Sequence, residues 1–224
     1  ARAFHREGAS VVVGDVLVEE GSALVATLGE RGRFVRCDVA DAVAIEAAYR
    51  AADSAFGGVD IVLNNVGITR YGTVDRLGLE DWEHSLRVNL TAHFVSAHHA
   101  IPRMRARGGG VIVNNASVVG WRAQEGQCHY AAAKAGVMAL TRCAAMEAAP
   151  DNIRINCVAP GVIRTRFHEK MSAEQKKLNL EQRIPLKREG TSEQVADAIL
   201  LLVKNDYITG DTVTIDGGLT MRIA

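Results

Sequence analysis

Short apolar runs alternate with longer stretches of helical periodicity along most of the chain. The apolar runs predict strands at residues 11–15, 33–37, 59–63, 111–115, 153–158 and 212–216. The intervening stretches predict helices at residues 19–29, 41–56, 80–107, 128–148 and 192–203. Apolar strands separated by helices of ten or more residues are typical of a parallel sheet covered on both faces. The pattern therefore predicts a doubly wound α/β fold.

Length and charge narrow the possible functions. The chain has 224 residues with no repeat or shift of composition, so residues 1–224 are expected to form a single domain. Its 26 basic and 26 acidic side chains cancel, which argues against nucleic acid as a partner. No apolar run reaches the ~18 residues of a membrane span, so we expect no membrane partner.

The cysteines and histidines do not suggest a metal or disulfide framework. No CxxC or comparable spacing occurs, and no set of His, Cys, Asp and Glu has the spacing of a metal site, so none is predicted. The four cysteines are interpreted as reduced thiols in a reducing compartment, which predicts a cytoplasmic protein. They are Cys37, Cys128, Cys143 and Cys157.

Polar or glycine-bearing groups follow five successive predicted strands. Ligands of open α/β sheets bind outside the carboxyl ends of the strands. Each group alone is adequately explained as the start of a turn, but five in succession favour a binding crevice. They are Asp15, Asp38, Asn65–Gly67, Ser117 and Pro160–Gly161.

One pair of residues points to proton transfer. Tyr130 and Lys134 are four positions apart on a predicted helix, so they share one face. A nearby ammonium favours the phenolate, and we therefore expect Lys134 to lower the pKa of Tyr130 and suit it to general acid–base catalysis. The alternative for this pair alone is a surface tyrosine with a solvated lysine. Ser117 lies thirteen positions before Tyr130, just after a predicted strand, where its hydroxyl is either a donor to a substrate oxygen or the cap of a turn. It is not in a GxSxG elbow, which disfavours esterase chemistry.

These motifs, in this order, resemble the short-chain dehydrogenase/reductase family with its Rossmann-type fold. The spacing from Ser117 to Lys134 is closest to the 3-oxoacyl-carrier-protein reductase-like branch. The resemblance extends over essentially the whole chain. The other motifs that carry it are Asn65-Val66-Gly67, Pro160-Gly161, Ile208-Thr209-Gly210 and Asp216-Gly217-Gly218.

The resemblance implies a catalytic role for four residues. Tyr130 would be the general acid/base, and Lys134 would hydrogen-bond the nicotinamide ribose and lower the Tyr130 pKa. Ser117 would position the substrate oxygen. Asn89 would hold a water in the proton relay, although its sequence position alone is that of a solvated helix residue.

The resemblance also implies a cofactor site. Asp15 would accept hydrogen bonds from the adenosine ribose and repel a 2′-phosphate, which predicts NAD rather than NADP. Asp38 and Val39 would contact the adenine, and Asn65, Val66 and Gly67 would line the cofactor. The segment that would contact the nicotinamide carboxamide comprises Pro160, Gly161, Ile163 and Thr165.

The start of the chain carries a further expectation. The family begins with a strand and a glycine-rich turn that holds the cofactor pyrophosphate. Neither is present, so we expect the chain to be an N-terminally incomplete fragment in which residues 1–8 continue the helix after that turn. The resemblance also implies a substrate lid at about residues 164–190, and a homotetramer or homodimer built on the helices at 80–107 and 128–148.

The sequence thus predicts an NAD(H)-dependent oxidoreductase that transfers hydride between nicotinamide and a carbonyl or secondary alcohol. Two alternatives remain open at this point. One is an NADPH-dependent 3-oxoacyl-thioester reductase, and the other is a noncatalytic dinucleotide-binding protein. The presence of Ser117, Tyr130 and Lys134 argues against the second alternative. The substrate itself is not predicted, because loops on this scaffold serve many small molecules.

Overall fold

A computed structural model of the protein describes residues 1–166 and 171–221 and confirms the predicted α/β class. Each predicted strand is present within two residues of its expected bounds, and all the strand pairs are parallel. The strands are β1 (Val11–Asp15), β2 (Gly32–Arg36), β3 (Ile61–Asn64), β4 (Gly110–Asn115), β5 (Ile153–Pro160) and β6 (Thr212–Ile215).

The helices also follow the prediction, with one interruption. A π-helical turn at Arg87–Thr91 divides the helix expected at 80–107. The α-helices are α1 (Arg2–Arg6), α2 (Val18–Ala26), α3 (Ala42–Phe56), α4 (Leu79–Leu86), α5 (Ala92–Arg107), α6 (Cys128–Ala148), α7 (Ala173–Leu178) and α8 (Ser192–Lys204). In the described ranges, no helix is both long and apolar enough to cross a membrane.

Several helices begin or end at residues suited to that position. The Asp41 side chain accepts the Val43 N–H at the start of α3, and Gly57 ends this helix with a left-handed φ of 76°. At the start of α8, Thr191 and Gln194 form a reciprocal capping box. Local sequence therefore fixes the ends of helices whose apolar faces then pack on the sheet.

The strands form two hydrogen-bonded parts. β1 pairs with β2, and the other part has the order β3-β4-β5-β6. Within residues 1–166 and 171–221, no ladder joins β1 to β3. Val12 of the first part and Val62 of the second nevertheless pack against the same core cluster. The expectation of a strand and turn before Ala1 concerns residues outside this chain and stays a prediction.

Helices cover both faces of the sheet, as predicted. On β4, Ile112 belongs to a core cluster with residues of α3, α5 and α6. Val111 and Val113 point the opposite way and pack with α8 and with Phe4 of α1. Because alternate strand residues face opposite sides, this segregation puts one helical layer on each face.

A chain of buried hydrogen bonds ties β3 and β4 to the helices of one face. Tyr49 Oη lies 2.7 Å from Ser96 Oγ, which donates to Asn64 Oδ1 at 2.6 Å. The Asn64 amide donates to Asn114 Oδ1 at 2.9 Å, and the Asn114 amide donates to Thr141 Oγ1 at 2.9 Å. These hydrogen bonds hold α3, α5 and α6 to β3 and β4, just before the strand ends that carry the predicted site.

Candidate active site

The parallel arrangement brings the predicted site residues to one edge of the sheet. β1 ends at Asp15, β3 ends directly before Asn65, and β5 ends at Pro160. Asp38 and Ser117 each follow the end of a strand by two residues. The carboxyl ends of parallel strands share one edge, where α/β proteins bind their ligands.

Tyr130 and Lys134 lie in the first turns of α6 and share its inward face, as their spacing predicts. The Tyr130 side chain is 7% exposed and that of Lys134 is 1% exposed. Lys134 Nζ lies 5.7 Å from the centroid of the Tyr130 ring. The pair therefore forms a buried phenol–amine unit rather than a solvated surface pair.

Ser117 lies beside Tyr130 because a tight turn packs on α6. The turn Val118–Gly120 follows Ser117, whose hydroxyl accepts the Val119 N–H at 3.3 Å. A Cβ on Gly120 would be 3.0 Å from backbone atoms of Lys134 and Ala135, so only glycine fits this approach easily. Ser117 thus caps its turn and also hydrogen-bonds Tyr130.

The pKa of Tyr130 differs from our expectation. Burial raises the pKa of its phenol to about 12, while the hydrogen bond with Ser117 acts in the opposite direction. Our expectation that Lys134 lowers this pKa is not met in this structure. The reason is that desolvation of the phenolate outweighs the Ser117 hydrogen bond, while the Lys134 amine is directed at two backbone carbonyls instead.

The Lys134 ammonium is directed at two backbone carbonyls. Nζ donates to Val66 O at 2.8 Å and to Asn115 O at 2.7 Å. Burial lowers the pKa of Lys134 from 10.5 to about 7, with a small opposing effect from Cys157. Since an ammonium has three donors, one N–H remains for a further partner.

Asn89 is fully buried rather than solvated, which corrects the reading of its sequence position alone. It lies in the π-helical turn, a distortion that is frequent at functional sites. Its Oδ1 accepts the Ile68 N–H at 2.9 Å, and its Nδ2 donates to Ile68 O at 2.9 Å and to Ser85 Oγ at 3.0 Å. The side chain therefore fixes the loop after β3.

That loop carries Asn65, Val66 and Gly67. Asn65 Oδ1 accepts from the Asn115 amide at 2.6 Å, and the Val66 carbonyl accepts from Lys134. A Cβ on Gly67 would lie 3.6 Å from Asn89 Oδ1 and 3.8 Å from Lys134 Nζ. Asn89 Oδ1 and Lys134 Nζ therefore both lie next to the space that a side chain at Gly67 would fill.

The residues expected to bind adenosine lie at the ends of β1 and β2 and are open to solvent. Asp15 Oδ1 accepts the Leu17 N–H at 3.0 Å, and Asp38 Oδ1 accepts the Ala40 N–H at 2.9 Å. Between them, burial and the nearby carboxylates raise the pKa of the Cys37 thiol. Val39 is half-buried and packs against the main core.

The predicted nicotinamide segment leaves β5 at Pro160. A Cβ on Gly161 would be 2.7 Å from the Asp216 Cβ, so glycine allows this strand end to approach the loop after β6. Ile163 is buried and forms a bridge with Gly190, and Thr165 Oγ1 donates to Ile163 O at 3.3 Å. The segment 164–190 contains α7, and its residues 167–170 lie outside the described residues.

Two residues behind the site were not singled out from the sequence. Ser85 Oγ joins Asn89 Nδ2 to His129 Nδ1, and His129 Nε2 lies 3.0 Å from Arg70 O. His129 is 1% exposed, and these hydrogen bonds were not predicted from the sequence. The available signals were the helical spacing of Ser85 from Asn89 and the adjacency of His129 to Tyr130.

Another histidine, His93, is fully buried near the backbone of Asn64 and Asn115. Neither of its ring nitrogens makes a hydrogen bond of ordinary geometry with the part of the protein described. Burial and the neighbouring Lys134 lower the pKa of His93 to about 3. No three His, Cys, Asp or Glu side chains among residues 1–166 and 171–221 come together as a metal site.

Known proteins are similar to this chain in both sequence and structure. The family model described as enoyl-(acyl carrier protein) reductase matches residues 1–220. The 3-oxoacyl-(acyl-carrier-protein) reductase FabG of Thermotoga maritima is 39% identical over 224 residues, with 97% of this chain and 90% of the relative covered.

Two solved structures are similar over nearly the entire chain. One, from Burkholderia xenovorans and described as a short-chain dehydrogenase/reductase, has a TM-score of 0.90 and 34% identity, covering 99% of this chain and 88% of that one. The other is a gluconate 5-dehydrogenase from Burkholderia cenocepacia in complex with NADP and tartrate. It has a TM-score of 0.93 and 30% identity, covering 100% of this chain and 90% of that one. The chain therefore belongs to the short-chain dehydrogenase/reductase family and is an oxidoreductase of that family.

Proposed function

We propose that the protein is an NAD(H)-dependent oxidoreductase of carbonyl and secondary alcohol substrates, with Tyr130 as its general acid/base. One observation carries this proposal: the Tyr130 phenol is buried, hydrogen-bonded to Ser117 and 5.7 Å from Lys134 Nζ at the ring centroid, near the carboxyl edge of the sheet. A noncatalytic dinucleotide-binding protein has no need of that arrangement.

The roles follow from the protonation states. With a pKa of about 12, Tyr130 is a protonated phenol at neutral pH and is able to donate its proton to a carbonyl oxygen. In the reverse direction its phenolate takes the proton of an alcohol, and the Ser117 hydrogen bond favours that phenolate. Ser117 also accepts the Val119 N–H, so while Tyr130 is a protonated phenol the one hydroxyl hydrogen of Ser117 is available to the substrate oxygen.

The groups around Gly67 fit a nicotinamide cofactor. A third Lys134 N–H, the Asn89 Oδ1 atom and the bare Gly67 backbone border one space, and the buried Asn115 Oδ1 has no partner in the described part of the chain. We assign Lys134, Asn65, Val66, Gly67, Pro160, Gly161, Ile163 and Thr165 to the nicotinamide side, and Asp15, Asp38 and Val39 to the adenosine side. The bound cofactor supplies the hydride donor or acceptor.

Asp15 supports NAD(H) as the coenzyme. Its exposed carboxylate ends β1, is followed by Val16, and would repel a 2′-phosphate. One observation favours the alternative: Arg36 is in register with Asp15 on β2, where its guanidinium would attract that phosphate. The similar gluconate 5-dehydrogenase structure contains NADP.

The coenzyme assignment is tested by comparing kcat/KM for NADH and NADPH. We expect NADH to be preferred, and Asp15→Ser to shift the ratio toward NADPH by about tenfold because it removes one charge repulsion. Arg36→Ala should leave NADH use unchanged. A higher kcat/KM for NADPH that Arg36→Ala abolishes would overturn the assignment and support the alternative.

The acid/base role is tested with Tyr130→Phe. We expect kcat/KM to fall by about 100-fold or more, because the variant keeps the ring but has no exchangeable proton. Tyr207→Phe is the matched control, since Tyr207 is 97% exposed. Undiminished turnover by folded Tyr130→Phe would refute the role.

The relatives suggest which substrates to try first. The panel should include a 3-oxoacyl thioester and gluconate with its 5-oxo product, following the names of the Thermotoga and Burkholderia cenocepacia proteins. Both contain the carbonyl/secondary alcohol pair that Tyr130 and Ser117 are proposed to serve. If only 3-oxoacyl thioesters react, and with NADPH, the 3-oxoacyl-thioester reductase alternative is correct.

Other expectations from the sequence remain part of the proposal. We infer a single domain with a substrate lid at about residues 164–190, in which α7 would lie over the nicotinamide side. Exposed Phe94 on α5 and Met146 on α6 support a homodimer or homotetramer built on these helices, which light scattering of the purified protein would test. Four free thiols support a cytoplasmic location.

A further inference from the structure

A closed hydrogen-bond network lies behind Asn89. Both N–H bonds of its amide are used, one to Ile68 O at 2.9 Å and one to Ser85 Oγ at 3.0 Å. Its Oδ1 accepts the Ile68 N–H at 2.9 Å and keeps one lone pair. The only hydrogen-bonding capacity left on Asn89 is therefore an acceptor on the side of Gly67.

The donor and the acceptor of each hydrogen bond in this network follow from the contact between His129 and the Arg70 carbonyl. His129 Nε2 lies 3.0 Å from Arg70 O, and a carbonyl only accepts, so Nε2 carries a hydrogen. In a neutral ring Nδ1 is then an acceptor, and the Ser85 hydroxyl, 3.1 Å away, donates to it. Ser85 in turn accepts from Asn89. Every proton of the network is assigned by this sequence of donors and acceptors.

Ile68 and this polarity select the same orientation of the Asn89 amide. If the amide were rotated by half a turn, its oxygen would face both the Ile68 carbonyl and Ser85, whose hydrogen is already given to His129. The Nδ2 group would then face the Ile68 N–H, placing donor against donor in a buried site. Such unmatched buried groups are destabilising. Ile68 and the network together thus hold Oδ1 toward the space that it shares with Lys134 Nζ.

The same network fixes the loop after β3 at two points. Asn89 holds Ile68, and His129 holds Arg70. Since His129 directly precedes Tyr130 on α6, the loop is held in register with the helix that carries the acid/base.

We propose that His129, acting through Ser85, is a positioning residue that reinforces the orientation of the Asn89 amide at the active site. The inference rests on the proposed function, in which Asn89 serves the proton relay of Tyr130. His129 and Ser85 touch neither the substrate nor the reacting atoms.

The first test reads the tautomer directly and needs no substrate. The protein is labelled with ¹⁵N in its histidines, and the His129 signals are identified by their absence from His129→Asn. We expect the neutral Nε2–H tautomer at neutral pH. An Nδ1–H tautomer or a doubly protonated ring would overturn the assignment, because neither lets Ser85 donate to Nδ1.

The second test distinguishes the contributions of the two ring nitrogens of His129, Nδ1 toward Ser85 and Nε2 toward Arg70. Asn places its terminal amide near the position of Nδ1 and can still accept from Ser85, whereas Gln reaches the position of Nε2 and meets only Arg70 O. We expect His129→Asn to keep most of kcat and His129→Gln to lose about tenfold, because a misplaced relay group slows turnover. His84→Gln, on an exposed histidine next to Ser85, is the matched control.

The outcomes distinguish this inference from the proposed function. If Tyr130→Phe is inactive but His129→Gln and Ser85→Ala both keep kcat within about twofold, the function stands and the positioning role fails. Ser85→Ala removes a single oxygen atom, so it carries the same expectation even if a histidine variant does not fold. A double variant Ser85→Ala/His129→Gln that loses no more than either single variant would support action through Asn89.

Discussion

The two ends of the proposed cofactor site are built in opposite ways. On the nicotinamide side, Asn89 and Lys134 are fully buried and bonded to backbone atoms of other elements. On the adenosine side, Asp15 and Asp38 are exposed, and within the described residues each carboxylate accepts an N–H group two residues further along the chain. The first arrangement depends on the whole tertiary structure, while the second is a local turn.

The contrast has a physical consequence. In the buried region, the low dielectric shifts the pKa of Tyr130 and of Lys134 strongly, so the chemistry is sensitive to any change of packing. At the exposed carboxylates, solvent and salt screen the charges. Coenzyme choice is therefore expected to change by substitution without loss of fold, whereas catalytic residues are not separable from the core.

The largest effect is expected from Lys134→Met. This change removes the donor to Val66 O and Asn115 O and the charge facing the cofactor space. We expect kcat/KM to fall by about 100-fold or more at saturating coenzyme, because the carbonyls and the loop after β3 lose their common partner. The measurement is steady-state turnover of the best panel substrate.

The control for this change is Lys204→Met. Lys204 lies on α8 and pairs with Glu7 at 2.7 Å on the surface, a contact of little energetic value. Its activity should stay within about twofold of the unmodified enzyme. Comparable losses in both variants would show that the buried amine has no special role.

A second prediction compares stability in the two regions. Asn114→Ala interrupts the hydrogen bonds between Tyr49 and Thr141: the Asn64 amide N–H loses its acceptor and Thr141 Oγ1 loses its donor, both in the protein interior. We expect it to lower the free energy of unfolding by about 2 to 3 kcal/mol. Asp38→Ala removes one exposed turn bond and should cost only about 0.5 to 1 kcal/mol.

Both values come from urea unfolding at one fixed protomer concentration, since any oligomer makes stability depend on concentration. Equal losses for the two variants would break the contrast between a tertiary and a local arrangement. A smaller loss for Asn114→Ala than for Asp38→Ala would reverse it.

The sequence predicted what depends on local pattern. Helical spacing placed Tyr130 and Lys134 on one face, and the apolar runs located each strand to within two residues. These features need only neighbouring residues and the period of a helix or strand. The role of Ser117 was implied instead by the family resemblance, to which its distance from Tyr130 contributes.

The sequence did not predict what depends on burial and on distant partners. It gave the wrong direction for the Tyr130 pKa, because desolvation is a property of the packed fold and not of the spacing to Lys134. It also treated Asn89 by itself as solvated and missed Ser85. Their contacts join α4, the π-helical turn, α6 and the loop after β3, which no local pattern connects.

The last prediction concerns how stability changes with pH. The pKa of Lys134 is about 7 in the folded protein and 10.5 in its ordinary state, because burial disfavours the ammonium. Between these pH values the unfolded chain binds more protons than the folded one, so the free energy of unfolding rises with pH. Below pH 7 both states are protonated and the cost of burying the charge is constant.

The difference in stability between the unmodified protein and Lys134→Met should therefore increase by up to about 1.4 kcal/mol per pH unit from pH 7 toward 10 and stay flat below pH 7. Taking the difference removes the contributions of the other titrating groups. A flat difference over that window would show that Lys134 keeps an ordinary pKa, and the buried side of the site would then be as well solvated as the side of Asp15.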